Sequence, residues 1–241
     1  RFLAYRCGLQ VGLNPVRRLR ANAPSGPFFR PYAGQAGDNA GPDPCGNAAE
    51  YFGWFRMPLH GKCPDWHANP FNGVRSRFAD KPWWKIPDFD PELGDIKTVW
   101  EASRWNWVLQ LAIRARSGDP EAVVRLNTWL ADWSRANPPY LGVNWKCGQE
   151  ASIRVMHLAM AAMILDQTQN PLPGLVELLR IHLQRIAPTI LYAVAQNNNH
   201  GTSEAAALFI GGSWLDRIAG GRRAEKWGIQ GRRWLENRVA A

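Results

Sequence analysis

The prolines of this chain are concentrated in one stretch, and this divides the sequence into two parts. Eleven of the eighteen prolines and eight of the glycines lie between Pro24 and Pro91. Proline fixes φ and lacks a backbone N–H, so this stretch cannot hold long helices. It also carries too many aromatic residues for a disordered linker. We therefore predict an N-terminal helix, ending near Leu19, and an irregular, ordered arm within residues 1–92, packed on a body formed by residues 93–241.

After Pro91, apolar residues recur at three- and four-residue spacing, which predicts helices. The first should run from Asp95 to the turn at residues 117–119. The second should begin at Pro120, a favourable first-turn residue, and end before Pro138. Further helices are predicted at about 146–165, 172–186 and 188–195, then from the Asn-rich cluster to about 218, and from about 222. No alternating apolar run indicates a substantial sheet, so we expect an all-α fold of antiparallel helical hairpins.

Composition excludes several classes of protein. The 241 residues are 46% hydrophobic, enough for a real core, and no apolar run of about 18 residues would span a membrane. The four cysteines (Cys7, Cys45, Cys63 and Cys147) have no zinc-site spacing, so we expect no metal site. We also expect no other cofactor. One or two disulfides among them would be consistent with export, and the sequence leaves their pairing open.

Charge and aromatic content indicate the kind of ligand. The formal charge is +9, which favours an anionic partner, although a charge that only keeps the protein soluble explains it equally well. Thirteen tryptophans provide flat faces for a core or for stacking against sugars or bases. Carbohydrate and nucleic acid are therefore both candidates.

Two polar clusters on the predicted helices have simple structural explanations. Glu101 and Arg104 are three residues apart, which is typical of a surface ion pair. Glu150 and Arg154, four apart, form a second such pair, and Asn144 is a candidate helix cap.

A third cluster, from Asn197 to Glu204, is more informative. Asparagine is a preferred helix cap, and a glutamate in the first turn suits the positive end of the helix dipole. Three asparagines followed by His200 exceed what capping requires, and these donors suit a carboxylate or another anion. His200 and Glu204 share a helix face, so the carboxylate can orient the ring.

Taken in order, these motifs resemble the heparinase II/III and alginate-lyase superfamily of polysaccharide lyases. They span roughly residues 50–212 in the family's order, and five consecutive matches are more specific than any one of them. The matching residues are Tyr51-Phe52-Gly53, Pro64 to Pro70, Asp95-Ile96-Lys97 with Trp100, Glu101 and Arg104, Asn144-Trp145 with Glu150 and Arg154, and Asn198-Asn199-His200 with Glu204.

The resemblance implies an incomplete (α/α) toroid, followed in full-length members by a β-rich domain. It implies cleavage of an acidic, uronate-containing glycan by β-elimination, with Asn199 and His200 as catalytic residues that neutralise the uronate carboxylate. Substrate-binding roles follow for Asn198, Glu204, Trp100, Trp105, Asn144 and Trp145.

The family's Tyr and its further His lie downstream of the Asn-His pair, whereas the last Tyr of this chain is Tyr192. Either the chain is cut off before those residues or this version lacks them. If they lie beyond Ala241, these 241 residues should bind an acidic glycan weakly without turning it over. The kind of substrate predicts a periplasmic or secreted protein.

Two other functions compete with this hypothesis. A non-catalytic glycan-binding or polysaccharide-biosynthesis protein would keep the toroid but not the reaction. A nucleic-acid-binding helical protein is suggested by Arg17-Arg18 and by the basic stretch from Arg222 to Arg238. We rank it last and expect no nucleic-acid partner, because the basic residues are dispersed and no reading-helix motif occurs. No membrane insertion is expected either.

Overall fold

The computed structural model describes residues 8–9, 14–32, 48–59, 61–87 and 89–240. In these ranges the protein is mostly helical, with one antiparallel pair of strands, so the prediction of a helical fold is confirmed at that level. The strands are β1 (Ala48–Tyr51) and β2 (Phe55–Pro58), with Ala48 opposite Pro58. The helices are α1 (Lys97–Ala102), α2 (Asn106–Arg116), α3 (Pro120–Ala136), α4 (Gly148–Ile164), α5 (Pro173–Ile186), α6 (Ile190–Ala195), α7 (Asn199–Ala219) and α8 (Arg222–Val239).

Local signals set most of the helix ends. The Asp119 carboxylate accepts hydrogen bonds from the backbone N–H groups of Glu121 and Ala122, and Pro120 occupies the first turn of α3. The helix ends at Ala136, shortly before Pro138. From Pro120 onward, the predicted bounds agree with the structure to within about two residues, the usual uncertainty of a helix end.

The predicted first helix is two helices, so a single helix from Asp95 to residue 117 is wrong. Trp105 separates α1 from α2 with a left-handed backbone (φ +67°), and its side chain is fully buried. The Ser103 carbonyl accepts a hydrogen bond from Arg154, and the Ser103 hydroxyl accepts one from Trp133. Packing of these groups outweighs the local helical periodicity.

The described parts of the arm are folded onto the helices. The backbone N–H groups of Phe28 and Phe29 both donate to the Asn127 side chain, and both rings are buried in the main core. A Cβ at Gly174 would lie 2.5 Å from the Ser25 carbonyl oxygen, so the arm runs directly against the start of α5. Most of the predicted N-terminal helix lies outside the described residues; near its expected end a 3-10 turn covers Pro15–Arg18.

Consecutive helices pack in pairs, α2 with α3, α4 with α5 and α7 with α8. The last pair is especially close, since a Cβ at Gly212 would lie 2.5 Å from the backbone nitrogen of Gly228. Glycine is therefore required where α8 crosses α7, and this contact fixes the basic α8 against the rest of the fold.

Arg154 lies at the centre of the core. Its guanidinium is fully buried and donates to His182 Nε2 and to the carbonyl oxygens of Ser103 and Asn144. Three indole rings surround its Cζ at centroid distances of 5.0–5.6 Å; they belong to Trp105, Trp133 and Trp145. Burial lowers the pKa of Arg154 to about 9, so the guanidinium stays charged at neutral pH.

In the described ranges, no helix is long and apolar enough to cross a membrane. Cys63 and Cys147 carry free thiols, whereas Cys7 and Cys45 lie outside the described residues.

Candidate functional site

A groove of about 390 Å³ lies where the start of α4, the C-terminal part of α5 and the start of α7 meet. Indole rings from the arm and from α1 form part of its wall, and charged groups from α5 and α7 lie beside them. We call this the His200 groove. Its lining includes Trp83, Trp84, Trp100, Lys146, Arg185 and His200.

The three asparagines before His200 have three different roles. Asn197 has a left-handed backbone (φ +51°) between α6 and α7, and its side chain accepts a hydrogen bond from Arg238. Asn198 caps α7 by accepting a hydrogen bond from the His200 backbone N–H at 3.0 Å. Asn199 is exposed and does not line the groove. Capping therefore accounts for Asn198, and the structure does not bring the amide of Asn199 into the site.

His200 and Glu204 lie on one face of α7, as their spacing predicts. His200 Nδ1 is 3.7 Å from Glu204 Oε1, an ion-pair distance that is too long for a strong hydrogen bond. The imidazole is 26% exposed and the carboxyl only 3%. The carboxyl group thus lies on the Nδ1 side of the ring, and the His200 side chain lines the groove.

The Glu204 carboxyl is held in a nearly dry environment. Burial raises the pKa of Glu204, while His200, Arg185 and Thr189 partly oppose that rise. The Thr189 hydroxyl lies 3.4 Å from Glu204 Oε2, a weak hydrogen bond. Buried carboxyl groups with a raised pKa occur often in functional clefts, because they exchange protons closer to neutral pH than exposed carboxyl groups do.

Arg185 connects α5 to the start of α4. It donates to the carbonyl oxygens of Trp145 at 2.8 Å and Lys146 at 2.7 Å, and its Cζ is 3.5 Å from the centroid of the Trp83 ring. The Lys146 ammonium group donates to the Ile86 carbonyl at 2.7 Å. These contacts hold the buried Arg185 guanidinium, the Lys146 ammonium group and an indole face at the groove, and the two positive charges suit an anionic ligand.

The tryptophans of the groove differ in their hydrogen bonding. Trp83 and Trp84 pack edge to face at 5.9 Å, and both indole N–H groups are buried without a hydrogen-bond partner in the described part of the chain. Trp100 instead donates its N–H to the Val143 carbonyl at 2.8 Å. The buried indole N–H of Trp105 in the core likewise has no partner among the described residues, so an unpaired N–H does not by itself mark a ligand site.

Three residues predicted to bind substrate belong to the core, and we correct their assignment. Trp105, Asn144 and Trp145 are fully buried and do not line the groove. Asn144 does not cap α4, because its amide donates to the Trp66 carbonyl and to the Asn137 side chain. Of the three tryptophans predicted to stack against a sugar, Trp100 lies at the groove.

The two predicted surface ion pairs are also corrected. Arg104 does pair with Glu101, at 2.6 Å, but Glu101 is buried and its other oxygen accepts from the Phe52 N–H. Glu150 is buried as well and pairs with Arg104 at 2.8 and 3.0 Å, not with Arg154. One arginine therefore joins α1 to α4 through two carboxylates, and this network is structural.

Sequence reasoning missed several residues of the groove. Tyr192 on α6, Arg185 on α5 and Trp83 in the arm all line it beside His200. These residues come from three separate elements, so their spacing along the sequence does not indicate that they lie together. Tyr192 is the most consequential of them, since a phenol in the same groove as His200 can transfer protons.

The groove also contains a thiol and, in the described ranges, no metal site. Burial raises the pKa of Cys147 to about 11, so the thiol is neutral at physiological pH and is a poor nucleophile. Among the described residues, no group of three or more His, Cys, Asp and Glu side chains is arranged to hold a metal ion.

Comparison of the chain with protein-family models, curated proteins and solved structures gave no match.

Proposed function

We propose that this protein is a polysaccharide lyase that cleaves an acidic, uronate-containing glycan by β-elimination in the His200 groove. The observation that carries the proposal is that His200, buried Glu204, Tyr192 and two cationic side chains line one groove together with three tryptophans. Aromatic faces suit sugar rings, the cations suit a uronate carboxylate, and the imidazole and phenol are groups that move protons.

The reaction explains why these groups are needed together. The C5 proton of a uronate is only weakly acidic while the neighbouring carboxylate keeps its charge. A donor at that carboxylate stabilises the negative charge that develops as the proton leaves, an effect typically of about a hundredfold or more in rate for each donor. His200, oriented by Glu204, is the donor in this scheme. Tyr192, acting as its phenolate, takes the C5 proton; the C4–O4 bond then breaks as a double bond forms between C4 and C5, and the Tyr192 hydroxyl returns the same proton to the departing O4 oxygen.

This assignment departs from the family order, in which the proton-transfer tyrosine lies downstream of the Asn-His pair. Tyr192 comes before the Asn-His motif along the chain but lies in the same groove as His200. We retain the resemblance-based proposals of an (α/α) toroid, of a β-rich domain in the full-length protein and of a periplasmic or secreted location. Asn199 stays a predicted charge-neutralising residue, although its side chain lies outside the groove lining.

A non-catalytic glycan-binding protein is the second candidate, and one observation favours it. Asn199, the amide that the resemblance assigns to charge neutralisation, is exposed. With only His200 of the predicted catalytic pair in the groove, the site would bind an acidic glycan without cleaving it.

The rate of formation of unsaturated uronate ends, followed by their ultraviolet absorbance, distinguishes the two candidates. We expect turnover by the wild type and a loss of about a hundredfold or more in His200→Ala and Tyr192→Phe. Tyr32→Phe, a matched substitution in the arm, should leave the rate unchanged. Binding of polyuronate with no product from the wild type would favour the non-catalytic candidate.

A further inference from the structure

Two basic segments that are far apart in the sequence meet on the surface of the fold. Arg18 and Arg20, at and just after the Pro15–Arg18 turn, line a groove of about 550 Å³ together with Arg223 and Lys226 of α8. Gln184, Pro188 and Trp227 complete much of the wall. We call this the basic groove. Its volume is in the range of ordinary ligand sites.

The charge of this groove is not balanced by its own walls. No carboxylate is among its lining residues in the described part of the chain. Within the same ranges, Arg18, Arg223 and Lys226 form no ion pair, and Arg20 donates to the carbonyl oxygens of Arg17 and Leu19. Four cations around one concavity therefore produce a local positive potential.

The position of the α8 cations is unfavourable for the helix alone. Arg222 and Arg223 are its first two residues, and Lys226 follows in the second turn. The N-terminal end of a helix carries partial positive charge, so Arg222 and Arg223 are unfavourable there, and Glu225 in the same turn offsets only part of the repulsion. Local stability would favour acidic residues at these positions, and an anion bound at the groove would relieve the repulsion.

The basic groove shares a structural element with the His200 groove. Gln184 and Pro188 line the basic groove, whereas Arg185 and Thr189 line the His200 groove. The last turn of α5 and the Ala187–Thr189 turn thus form a wall of both. Ligands in the two grooves would be separated by roughly the diameter of a helix, about 10 Å, which one extended polymer can span.

We propose that the basic groove is a second binding site for an anionic polysaccharide, which it holds while another part of the same chain occupies the His200 groove. That the polymer is a uronate glycan rests on the proposed function. That the groove prefers an anionic polymer rests on its four cationic side chains. A glycan is favoured over a nucleic acid because the basic groove shares the last turn of α5 with the His200 groove, where the proposed function places a uronate glycan.

The test is the affinity of the full chain for a fluorescent polyuronate oligomer, measured by anisotropy over a range of salt concentrations. The groove variant is Arg223→Glu/Lys226→Glu. The matched control is Arg56→Glu/Lys62→Glu, which makes the same change in net charge at two exposed residues outside the groove. We expect the groove variant to bind at least about tenfold more weakly, with a salt slope lower by about 1.4 for two lost contacts. The control should stay within about twofold, because distant exposed charges are screened by salt.

Several results would overturn this inference. Equal weakening in both variants would mean that net charge alone matters. Tighter binding of duplex DNA than of polyuronate, lost in the same groove variant, would assign the site to nucleic acid. Absence of polyuronate binding by the wild type at low ionic strength would also overturn it, as would unchanged affinity in a folded groove variant.

The inference and the lyase proposal can fail separately. Groove-dependent binding without any unsaturated ends from the wild type would support the basic groove and contradict the lyase. Turnover that depends on His200, with equal affinity in the groove variant and the wild type, would support the lyase and contradict the basic groove.

Discussion

The carboxyl group of Glu204 occupies the space that a side chain at Gly148 would fill. A Cβ built on Gly148 would come within 2.6 Å of the carboxyl carbon of Glu204. Gly148 is the first residue of α4, so the start of that helix and the side chain beside His200 are packed directly together. The Glu204 carboxyl group can therefore occupy its position only because residue 148, on α4, is a glycine.

Gly148→Ala should therefore destabilise the protein by displacing the carboxyl group. Alanine is a better helix former than glycine by about 0.5–1 kcal/mol, so α4 alone would gain stability. Overpacking should reverse that gain, at a cost of about 1–3 kcal/mol. In a Glu204→Ala background the clash is absent, and the same substitution should be neutral or stabilising. Denaturant unfolding of the four proteins checks this, and equal effects of Gly148→Ala in both backgrounds would contradict the packing relationship.

Glu204→Gln should become increasingly more stable than the wild type as the pH rises. Burial raises the pKa of Glu204 in the folded state above its ordinary value of 4.5, so the native protein keeps a proton that the unfolded chain loses. Wild-type stability then falls with rising pH from about 4.5 until the folded-state pKa is passed, by about 1.4 kcal/mol for each unit of difference. Urea titrations at several pH values across this range measure the difference in unfolding free energy between Glu204→Gln and the wild type. Glu236→Gln, at an exposed carboxyl, is the control, and a comparable slope there would refute the assignment.

Asn198 and Asn199 should respond differently to alanine. Asn198→Ala removes the cap of α7 and should cost about 1 kcal/mol in unfolding free energy. Asn199→Ala removes an exposed side chain and should change stability by less than about 0.5 kcal/mol. If Asn199 neutralises the substrate carboxylate, turnover should nevertheless fall in its variant. Wild-type turnover in folded Asn199→Ala would remove Asn199 from the mechanism.

Arg154→Lys should destabilise the protein strongly. Lysine cannot reproduce the three hydrogen bonds to His182, Ser103 and Asn144, and it would leave a buried charge poorly paired. Losses on breaking buried charged networks are about 3–5 kcal/mol. Arg232→Lys, in an exposed pair with Glu236, should change stability by less than about 1 kcal/mol. Similar denaturation midpoints for the two variants would show that the core does not depend on the guanidinium.

Much of the helical architecture could be predicted because its signals are local. The start of α3 is marked by Asp119 and Pro120, and its end by the nearby Pro138. The start of α7 is marked by its cap, Asn198. The break at Trp105 could not be predicted in this way. It depends on packing between α1, α3 and α4, and the sequence around Trp105 retains an uninterrupted helical period.

The site was less predictable, since spacing along one helix does not reveal partners on another. The His200–Glu204 pair was found because both residues are on α7. Glu150 and Arg154 have equally good spacing on α4. The Glu150 carboxylate nevertheless pairs with Arg104, which lies between α1 and α2. Tryptophan periodicity likewise did not distinguish Trp100, which lines the groove, from Trp145, which is in the core.

The indole N–H signals in a nitrogen-labelled sample test the central claim most directly. A uronate oligosaccharide titrated into the protein should shift the signals of Trp83 and Trp84, because the side chains of both residues line the groove. The signals of Trp105, Trp133 and Trp145 should remain in place, because these rings are sealed in the core. His200→Ala should weaken the response. Saturating oligosaccharide that leaves the Trp83 and Trp84 signals unmoved would contradict acidic-glycan binding in the His200 groove.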